Sequence, residues 1–452
     1  MKQKRPSISV LMILFCIICL VAGCGIGLFC MRHGSADKPE TEAMSEAEMQ
    51  AKTAAQTETD PVPEKVSENE AATEKMTGTE AVTEAVTEAQ TREGTVHMTG
   101  EAGEIDRVLA SMPLEDKVAQ LFIVLPEQLT GSSLVTAAGE MTRAAFDAIP
   151  AGGMIYMEPN LESAQQIEEM LAGMQDISLA RTGLPAFLCV DEEGGSVSRV
   201  NGRGIVDSEY IGDMADIGAS GDVQAAYDIG YRMGTYLSEL GFNVDFAPCA
   251  DVLTNPENTV VSRRSFGADP FIVSSMCEAV MNGLHARKMM ATYKHFPGHG
   301  ATSGDTHTGM AHTDKTLEAM MSTELVPFQS AIDLGCDMIM VGHISAPAVT
   351  GDDTPASMSK IMVTDVLRER MGYQGLVVTD AMNMDAIARN YSSAQAAIAS
   401  VKAGVDLILM PEDLTSAYSG LLQAVRDGEI PEERIDESVR RILEAKQKIV
   451  SG

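Results

Sequence analysis

Eight short apolar runs, separated by stretches of helical pattern, recur between residues 105 and 452 and constrain the fold most strongly. Apolar runs that alternate with helices are typical of a parallel sheet covered by helices, because such strands are buried on both faces. Eight βα units are the number that closes a barrel. The sequence therefore predicts an α/β fold with a single (β/α)8 barrel of the TIM type. The runs are 121–125, 153–157, 186–191, 243–247, 290–295, 338–341, 376–380 and 406–410.

The end of the chain, residues 432–449, has the pattern of an amphipathic helix that closes the barrel. Ile435, Val439, Ile442 and Leu443 recur at helical spacing on one face. We expect the barrel to occupy residues 105–452, with no second globular domain after this helix.

Residues 1–34 carry the pattern of a membrane anchor. Lys2, Lys4 and Arg5 precede a predominantly apolar run over 8–31, which is long enough to cross a bilayer at roughly 20 residues per span. The residues LVAGC that end at Cys24 also resemble a bacterial lipobox, whose cysteine receives lipid. A transmembrane helix and a lipoprotein signal both stay open. In both cases we expect a chain anchored in a bacterial cell membrane, with the rest of it extracytoplasmic.

Residues 35–104 are rich in Glu, Thr and Ala, with the near-repeat TEAVTEAVTEAQ at 79–90. Few large apolar side chains are available there to offset the entropy lost on ordering. The composition predicts a disordered acidic linker. A long helix is the alternative, although the frequent Thr and the Pro61-Val62-Pro63 break weaken it.

The formal net charge of −32 argues against a nucleic-acid partner, because a phosphate backbone is repelled by an acidic surface. The eight cysteines form no CxxC pair with a matching second pair. We therefore expect neither a disulfide framework nor a structural zinc site.

Several apolar runs carry a charged or imidazole side chain at or near their carboxyl ends. In a (β/α)8 barrel these ends meet at one mouth, which holds the active site. A strand-end Asp can also simply cap the next helix. The six residues at these positions are Asp191, Asp245, Lys294, His295, His343 and Asp380.

The glycine-rich stretch KHFPGHGATSGDTHTG, residues 294–309, follows the fifth run. Asp305 stands two residues before His307, where a carboxylate can reach one imidazole nitrogen and stabilise the imidazolium. This spacing makes His307 a candidate general acid/base. The same stretch supports a rival hypothesis, a metal-dependent barrel hydrolase in which His295, His299, Asp305 and His307 bind zinc. Lys294 beside this group disfavours a dication there.

Four motifs in order resemble the NagZ-type β-N-acetylglucosaminidases of glycoside hydrolase family 3. They are DEEGGSVSR at 191–199, RSFG at 264–267, KHFPGHG at 294–300 followed by D-x-H, and VVTDAMNM at 377–384. The resemblance implies that Asp380 is the nucleophile, His307 the acid/base and Asp305 its orienting partner. It also implies that the terminal sugar is bound by Asp191, Arg199, Arg264, Lys294 and His295. Glu192 departs from the family pattern, which often has Gln or His there, and this departure bears on fine specificity.

The resemblance further implies a retaining β-N-acetylhexosaminidase that needs no cofactor or metal. It would release terminal β-N-acetylglucosamine from glycans through a glycosyl-enzyme intermediate. The expected outward location favours peptidoglycan fragments, and chitin oligomers remain an alternative. We expect no obligate protein partner. Two further alternatives stay open: a phosphorylase, since a His acid/base does not repel phosphate as a carboxylate would, and a non-catalytic wall-binding protein.

Overall fold

The computed structural model describes residues 103–304 and 311–451. The predicted anchor, all but the last two residues of the predicted linker, and both Asp305 and His307 lie outside the described residues. The first described helix begins at Glu104, one residue before the predicted start of the barrel domain. Between residues 103 and 304 and between 311 and 451, no helix has the length and apolar character needed to span a bilayer.

An eight-stranded, all-parallel sheet forms the centre of the described residues, which confirms the predicted strand number. The strands are β1 Phe122–Val124, β2 Gly153–Ile155, β3 Phe187–Val190, β4 Val244–Asp245, β5 Met290–Phe296, β6 Met338–Val341, β7 Leu376–Thr379 and β8 Ile408–Leu409. Each strand from β1 to β6 pairs with the next in chain order, and β8 pairs with β1. A bridge between Val378 in β7 and Leu407 before β8 joins the remaining edges into a barrel.

Helices surround the barrel, one long helix after each strand. In strand order they are Glu140–Ala148, Ala164–Thr182, Val223–Leu240, Pro270–His285, Val326–Asp333, Ile361–Arg370, Ser393–Ala403 and Leu414–Arg426. The sixth has π-type hydrogen bonding. Shorter α-helices are Glu104–Ser111, Leu114–Ala119, Pro126–Thr130, Met214–Ser220, Leu317–Met321, Pro347–Thr350 and Asp385–Ala388, and 3-10 turns are Glu158–Asn160, Asn201–Arg203, His299–Ala301 and Ala356–Met358.

Polar residues at the helix starts explain where several helices begin. The side chains of Ser163, Asp222, Asp269 and Asp413 each accept a backbone N–H from the first turn of the helix that follows. These bonds satisfy donors that have no partner inside the helix. The local sequence thus determines where each of these helices begins after the strand that precedes it.

The helix Glu432–Ser451 closes the amino-terminal end of the barrel, as its pattern predicts. Ile435, Val439, Ile442 and Leu443 are fully buried. Lys446 is also buried, and its ammonium donates to Gln120 Oε1 at 2.7 Å and lies 5.2 Å from the centre of the Phe187 ring. A lysine inside this apolar contact is a feature that the helical pattern does not reveal.

Candidate active site

A cleft of about 560 Å³ opens at the carboxyl ends of the barrel strands. The end of β3 and the hairpin after it, the loop after β4, the end of β5 and the loop after β7 all contribute to its wall. The structure brings together the six described residues that the sequence predicts for the site: Asp191, Arg199, Arg264, Lys294, His295 and Asp380.

A buried network of charges forms the polar wall of the cleft. Lys294 donates to Asp191 Oδ1 at 2.7 Å and lies 2.6 Å from Glu193 Oε1. Arg264 binds the same Glu193 carboxylate through Nε and Nη2, both at 2.7 Å. Burial opposes charge on Lys294, but Asp191 and Glu193 outweigh it and raise its pKa well above the ordinary value. The wall therefore presents fixed charges that can donate to and accept from sugar hydroxyls.

Asp380 follows β7 and lines the cleft with its carboxylate. Its Oδ1 accepts the N–H of Ala381 at 2.8 Å. Burial alone would raise the pKa of Asp380, but the neighbouring imidazoles of His295 and His343, helped by that N–H, hold it below the ordinary value. The carboxylate is therefore ionised at neutral pH, as a nucleophile requires.

His295 is held from both sides. Its Nδ1 lies 2.7 Å from Asp251 Oδ2, and its Nε2 lies 3.2 Å from Arg264 Nη2. Asp251 is fully buried, and its contact with His295 and its bond from the His299 N–H hold its pKa low against the effect of burial. The imidazole is thus fixed in one orientation at the edge of the cleft.

Arg199 enters the cleft from the hairpin formed by Glu192–Gly194 and Val197–Ser198. Its Nε is buried and has no hydrogen-bond partner among the described residues. A buried donor without a partner is costly. This guanidinium is therefore available to a polar group of a bound ligand.

Two of the six polar strand-end residues do not line the cleft. Asp245 is fully buried, and its Oδ1 accepts the N–H of Glu192, so it supports the hairpin from below. His343 is also fully buried, with Nε2 3.0 Å from the carbonyl oxygen of Ala381 and Nδ1 2.8 Å from Ser357 Oγ. Strand-end position predicts nearness to the mouth but not which side chains face it.

Glu192 requires a correction to the sequence interpretation. Its carboxylate is fully buried and accepts the hydroxyls of Ser198 and Tyr236 at 2.6 and 2.9 Å. It also accepts the backbone N–H groups of Val200 and Asn201, both at 2.9 Å. The side chain shapes the hairpin and does not line the cleft, so its departure from the family pattern bears on the hairpin fold and not on contact with a substrate.

Three possible metal ligands, Cys249, Asp251 and His295, lie within 4.8 Å of one another. The Cys249 thiol lies 3.2 Å from Asp251 Oδ2, which also accepts from His295. Burial raises the pKa of Cys249 well above its ordinary value, so in the absence of a metal the sulfur is a thiol that donates to Asp251. Of the four ligands that the zinc hypothesis names, this group contains only His295, whose Nδ1 is already engaged with Asp251.

The cleft also has an apolar wall. It is formed by Ile155, Met157, Met340, Met384, Leu409 and Met410. Met410 adopts a positive φ of 48°, which is uncommon for a residue with a side chain and is a feature often found at functional sites. A cleft with one charged and one apolar wall suits a sugar, which has a hydroxyl-rich edge and apolar faces.

Sequence reasoning missed Glu193, Asp251 and the apolar wall. Glu193 stands inside the DEEGGSVSR motif, but its partners Arg264 and Lys294 come from the loop after β4 and from β5. Asp251 lies 44 residues before His295, and no local pattern joins the two. A buried carboxylate between two cations becomes visible only when the loops are placed in space.

Comparisons with known proteins identify the family. The model of the glycosyl hydrolase family 3 N-terminal domain matches residues 113–445. Beta-hexosaminidase A of Pseudoalteromonas piscicida is 32% identical over 323 residues, which are 66% of this chain and 53% of that protein. Beta-hexosaminidase LpqI of Mycobacterium tuberculosis is 35% identical over 272 residues, 58% of this chain and 68% of that protein. The chain thus spans about half of one relative and two thirds of the other.

A similar solved structure is that of a glycoside hydrolase family 3 β-N-acetylglucosaminidase from a Paenibacillus species. It has a TM-score of 0.70 and 35% sequence identity, and the match covers 76% of this chain and 64% of that one. The M. tuberculosis LpqI structure gives a TM-score of 0.68 at 30% identity over 78% of this chain and 98% of that chain. The family match over most of the chain, together with the barrel and its cleft, shows that this protein belongs to glycosyl hydrolase family 3.

Proposed function

We propose that this chain is a retaining β-N-acetylhexosaminidase that releases terminal β-linked N-acetylglucosamine. Relatives at 32% and 35% identity are named β-hexosaminidases, and a similar structure is a β-N-acetylglucosaminidase. The observation that carries the proposal is the ionised Asp380 carboxylate, which lines the same cleft as the charged network of Asp191, Glu193, Arg264 and Lys294. A sugar bound to that network would present one face of its anomeric carbon to the Asp380 carboxylate.

In the first step of the proposed mechanism, an Asp380 oxygen bonds to the anomeric carbon while the bond to the leaving oxygen breaks. His307, as imidazolium, gives its proton to that oxygen, and Asp305 favours the charged ring. In the second step neutral His307 takes a proton from water, whose oxygen displaces Asp380 and restores the free carboxylate. The net configuration at the anomeric carbon is retained.

The domain organisation and location are part of the proposal. Residues 1–34 would anchor the chain to a bacterial membrane, 35–104 would act as an acidic linker, and 105–452 would form the extracytoplasmic catalytic domain. The basic residues before the apolar run support this orientation. Because N-acetylglucosamine alternates in peptidoglycan outside the membrane, fragments of that polymer are the substrate we propose. A protease added to intact cells should remove the catalytic domain.

A panel of aryl β-glycosides that differ only at the second carbon of the sugar tests the activity. We expect hydrolysis of the 2-acetamido sugar and much slower hydrolysis of the glucoside. Free N-acetylglucosamine should accumulate with or without phosphate, whereas the 1-phosphate would identify a phosphorylase. Binding without turnover of any substrate would contradict the proposal and favour a wall-binding protein. Loss of activity in a chelator that is restored by zinc would favour a metal hydrolase.

A further inference from the structure

The carboxylate of Asp251 holds the backbone and ring of His295 from behind the cleft. Oδ1 accepts the N–H groups of His295 and His299 at 3.3 and 2.5 Å, and Oδ2 lies 2.7 Å from His295 Nδ1. Asp251 is fully buried and does not line the cleft, whereas His295 does. Any effect of this carboxylate on a ligand must therefore pass through the residues it holds.

The opposite side of the His295 ring decides where the proton lies. Nε2 is 3.2 Å from Arg264 Nη2, and a guanidinium can only donate hydrogen bonds. Nε2 must therefore accept, which leaves the proton on Nδ1, where the Asp251 carboxylate accepts it. The two neighbours of the ring specify the same tautomer independently.

We propose that Asp251 is a positioning residue that keeps His295 Nε2 as a hydrogen-bond acceptor at the cleft. In the structure this acceptor is occupied by Arg264 Nη2; a ligand hydroxyl that inserts between the two atoms would accept from Nη2 and donate to Nε2, in place of their direct contact. A sugar hydroxyl, which donates and accepts at once, is the group that this pair recognises. The identity of the ligand as a sugar rests on the proposed function, whereas the tautomer does not.

The variant Asp251→Asn tests the proposal. The introduced amide can donate an N–H to His295 Nδ1, which then has to accept, so the ring proton moves to Nε2. The Nε2–H group and the N–H groups of Arg264 Nη2 then face each other as two donors. We expect ¹⁵N spectra of histidine-labelled protein to show an unprotonated Nε2 in the wild type and an unprotonated Nδ1 in the variant. The His295 signals are identified by their loss in His295→Gln. For the aryl N-acetylglucosaminide we expect kcat/KM to fall roughly 10- to 100-fold, by analogy with the loss of a hydrogen-bond partner that orients a metal-binding histidine.

Asp337→Asn is the control, because Asp337 is also a buried carboxylate that contacts a histidine, with Oδ2 2.6 Å from Nε2 of the more exposed His285, and neither residue lines the cleft. We expect it to lower the thermal midpoint while leaving kcat/KM unchanged. In addition, Asp251→Asn should have little further effect on kcat/KM once His295 is Gln, since residues that act through one another are not additive.

Three results would overturn the proposal: a wild-type His295 with its proton on Nε2, an unchanged tautomer in Asp251→Asn, or full additivity in the double variant. The wild-type spectrum alone decides the first of these, even if Asp251→Asn does not fold. The spectra need no turnover, so a chain that hydrolyses no N-acetylglucosaminide would refute the proposed function and still leave the tautomer measurable.

Discussion

The Lys294 ammonium lies 2.7 Å from Asp191 Oδ1, which joins the end of β5 to the end of β3 across the mouth of the barrel. The Lys294 side chain is 3% exposed and the Asp191 side chain 17%. Lys294 also contacts Glu193, which Arg264 binds as well, so two cations balance two carboxylates at the place where a ligand would bind. The charged wall is therefore a balanced set in which no member can be removed alone without a cost.

Replacing Lys294 with Met should destabilise the fold and weaken substrate binding together. Breaking a buried ion pair by removing one partner costs about 3–5 kcal/mol, since the remaining charge is left uncompensated. Urea unfolding measures this loss. Lys402→Met is the control, because the exposed Lys402–Glu429 pair, at 3.2 Å, should contribute about 1 kcal/mol or less. Equal losses in the two variants would contradict the view that the Lys294 network is a buried unit.

Replacing His343 with Ala should lower kcat more than it changes KM. Its Nε2 contacts the carbonyl oxygen of Ala381, the residue next to Asp380, and burial lowers the pKa of His343 so that the ring is neutral. Without this bond the Asp380 carboxylate loses its fixed position, and a small displacement of a reacting group costs roughly 100-fold in rate. Steady-state kinetics give both constants. Ser357→Ala leaves the Ala381 contact in place and should have a smaller effect, so a larger one would refute this explanation.

Because Lys446 is buried, we expect the free energy of unfolding to rise as the pH increases above neutral. Burial lowers the pKa of Lys446 to about 7, whereas an unfolded lysine titrates near about 10.4. Between these two values the unfolded chain binds a proton that the folded chain lacks, so this residue makes the free energy of unfolding rise with pH. Below the folded pKa both states are protonated and the penalty for burying the charge is present in full.

Urea unfolding of Lys446→Met at several pH values between 7 and 10 measures this effect. The free energy of unfolding of the variant minus that of the wild type should decrease as pH rises. The loss of the bond to Gln120 adds an offset that does not depend on pH. Lys402→Met is again the control, because Lys402 is exposed. A difference that stays constant with pH would show that Lys446 is charged in the folded state.

His307→Ala should distinguish substrates by their leaving groups. We expect a large loss of kcat/KM on an N-acetylglucosamine disaccharide and a smaller loss on an aryl glycoside with a good leaving group, because only the former needs protonation. Equal losses on the two substrates would argue against an acid role for this residue.

The sequence predicts the barrel well because the β-strands lie in short, mainly apolar runs that alternate with stretches of helical pattern. The ends of the strands are less predictable. The run at 406–410 forms only Ile408–Leu409 as a strand. At its start the Asp406 carboxylate binds Arg368 and Arg441, and at its end Met410 turns to a positive φ. These departures arise from tertiary contacts that an apolar pattern does not encode.

The sequence predicts which residues line the candidate site, but it does not predict which buried side chains hold those residues in place. Motifs and strand ends identify Asp191, Lys294, His295 and Asp380, all of which line the cleft. The buried carboxylates behind them, Glu193 and Asp251, are defined only by what they contact across the barrel. Supporting residues of this kind carry no local signature, because their partners come from distant strands.

Trapping of the covalent intermediate tests the central claim most directly. The protein is incubated with a fluorinated, activated N-acetylglucosaminyl substrate, which forms the intermediate faster than water hydrolyses it. The protein is then digested, and its peptides are analysed by mass spectrometry. The account predicts one glycosyl group attached to Asp380 and none in Asp380→Ala. An adduct on any other side chain, or turnover that persists in Asp380→Ala, would contradict it.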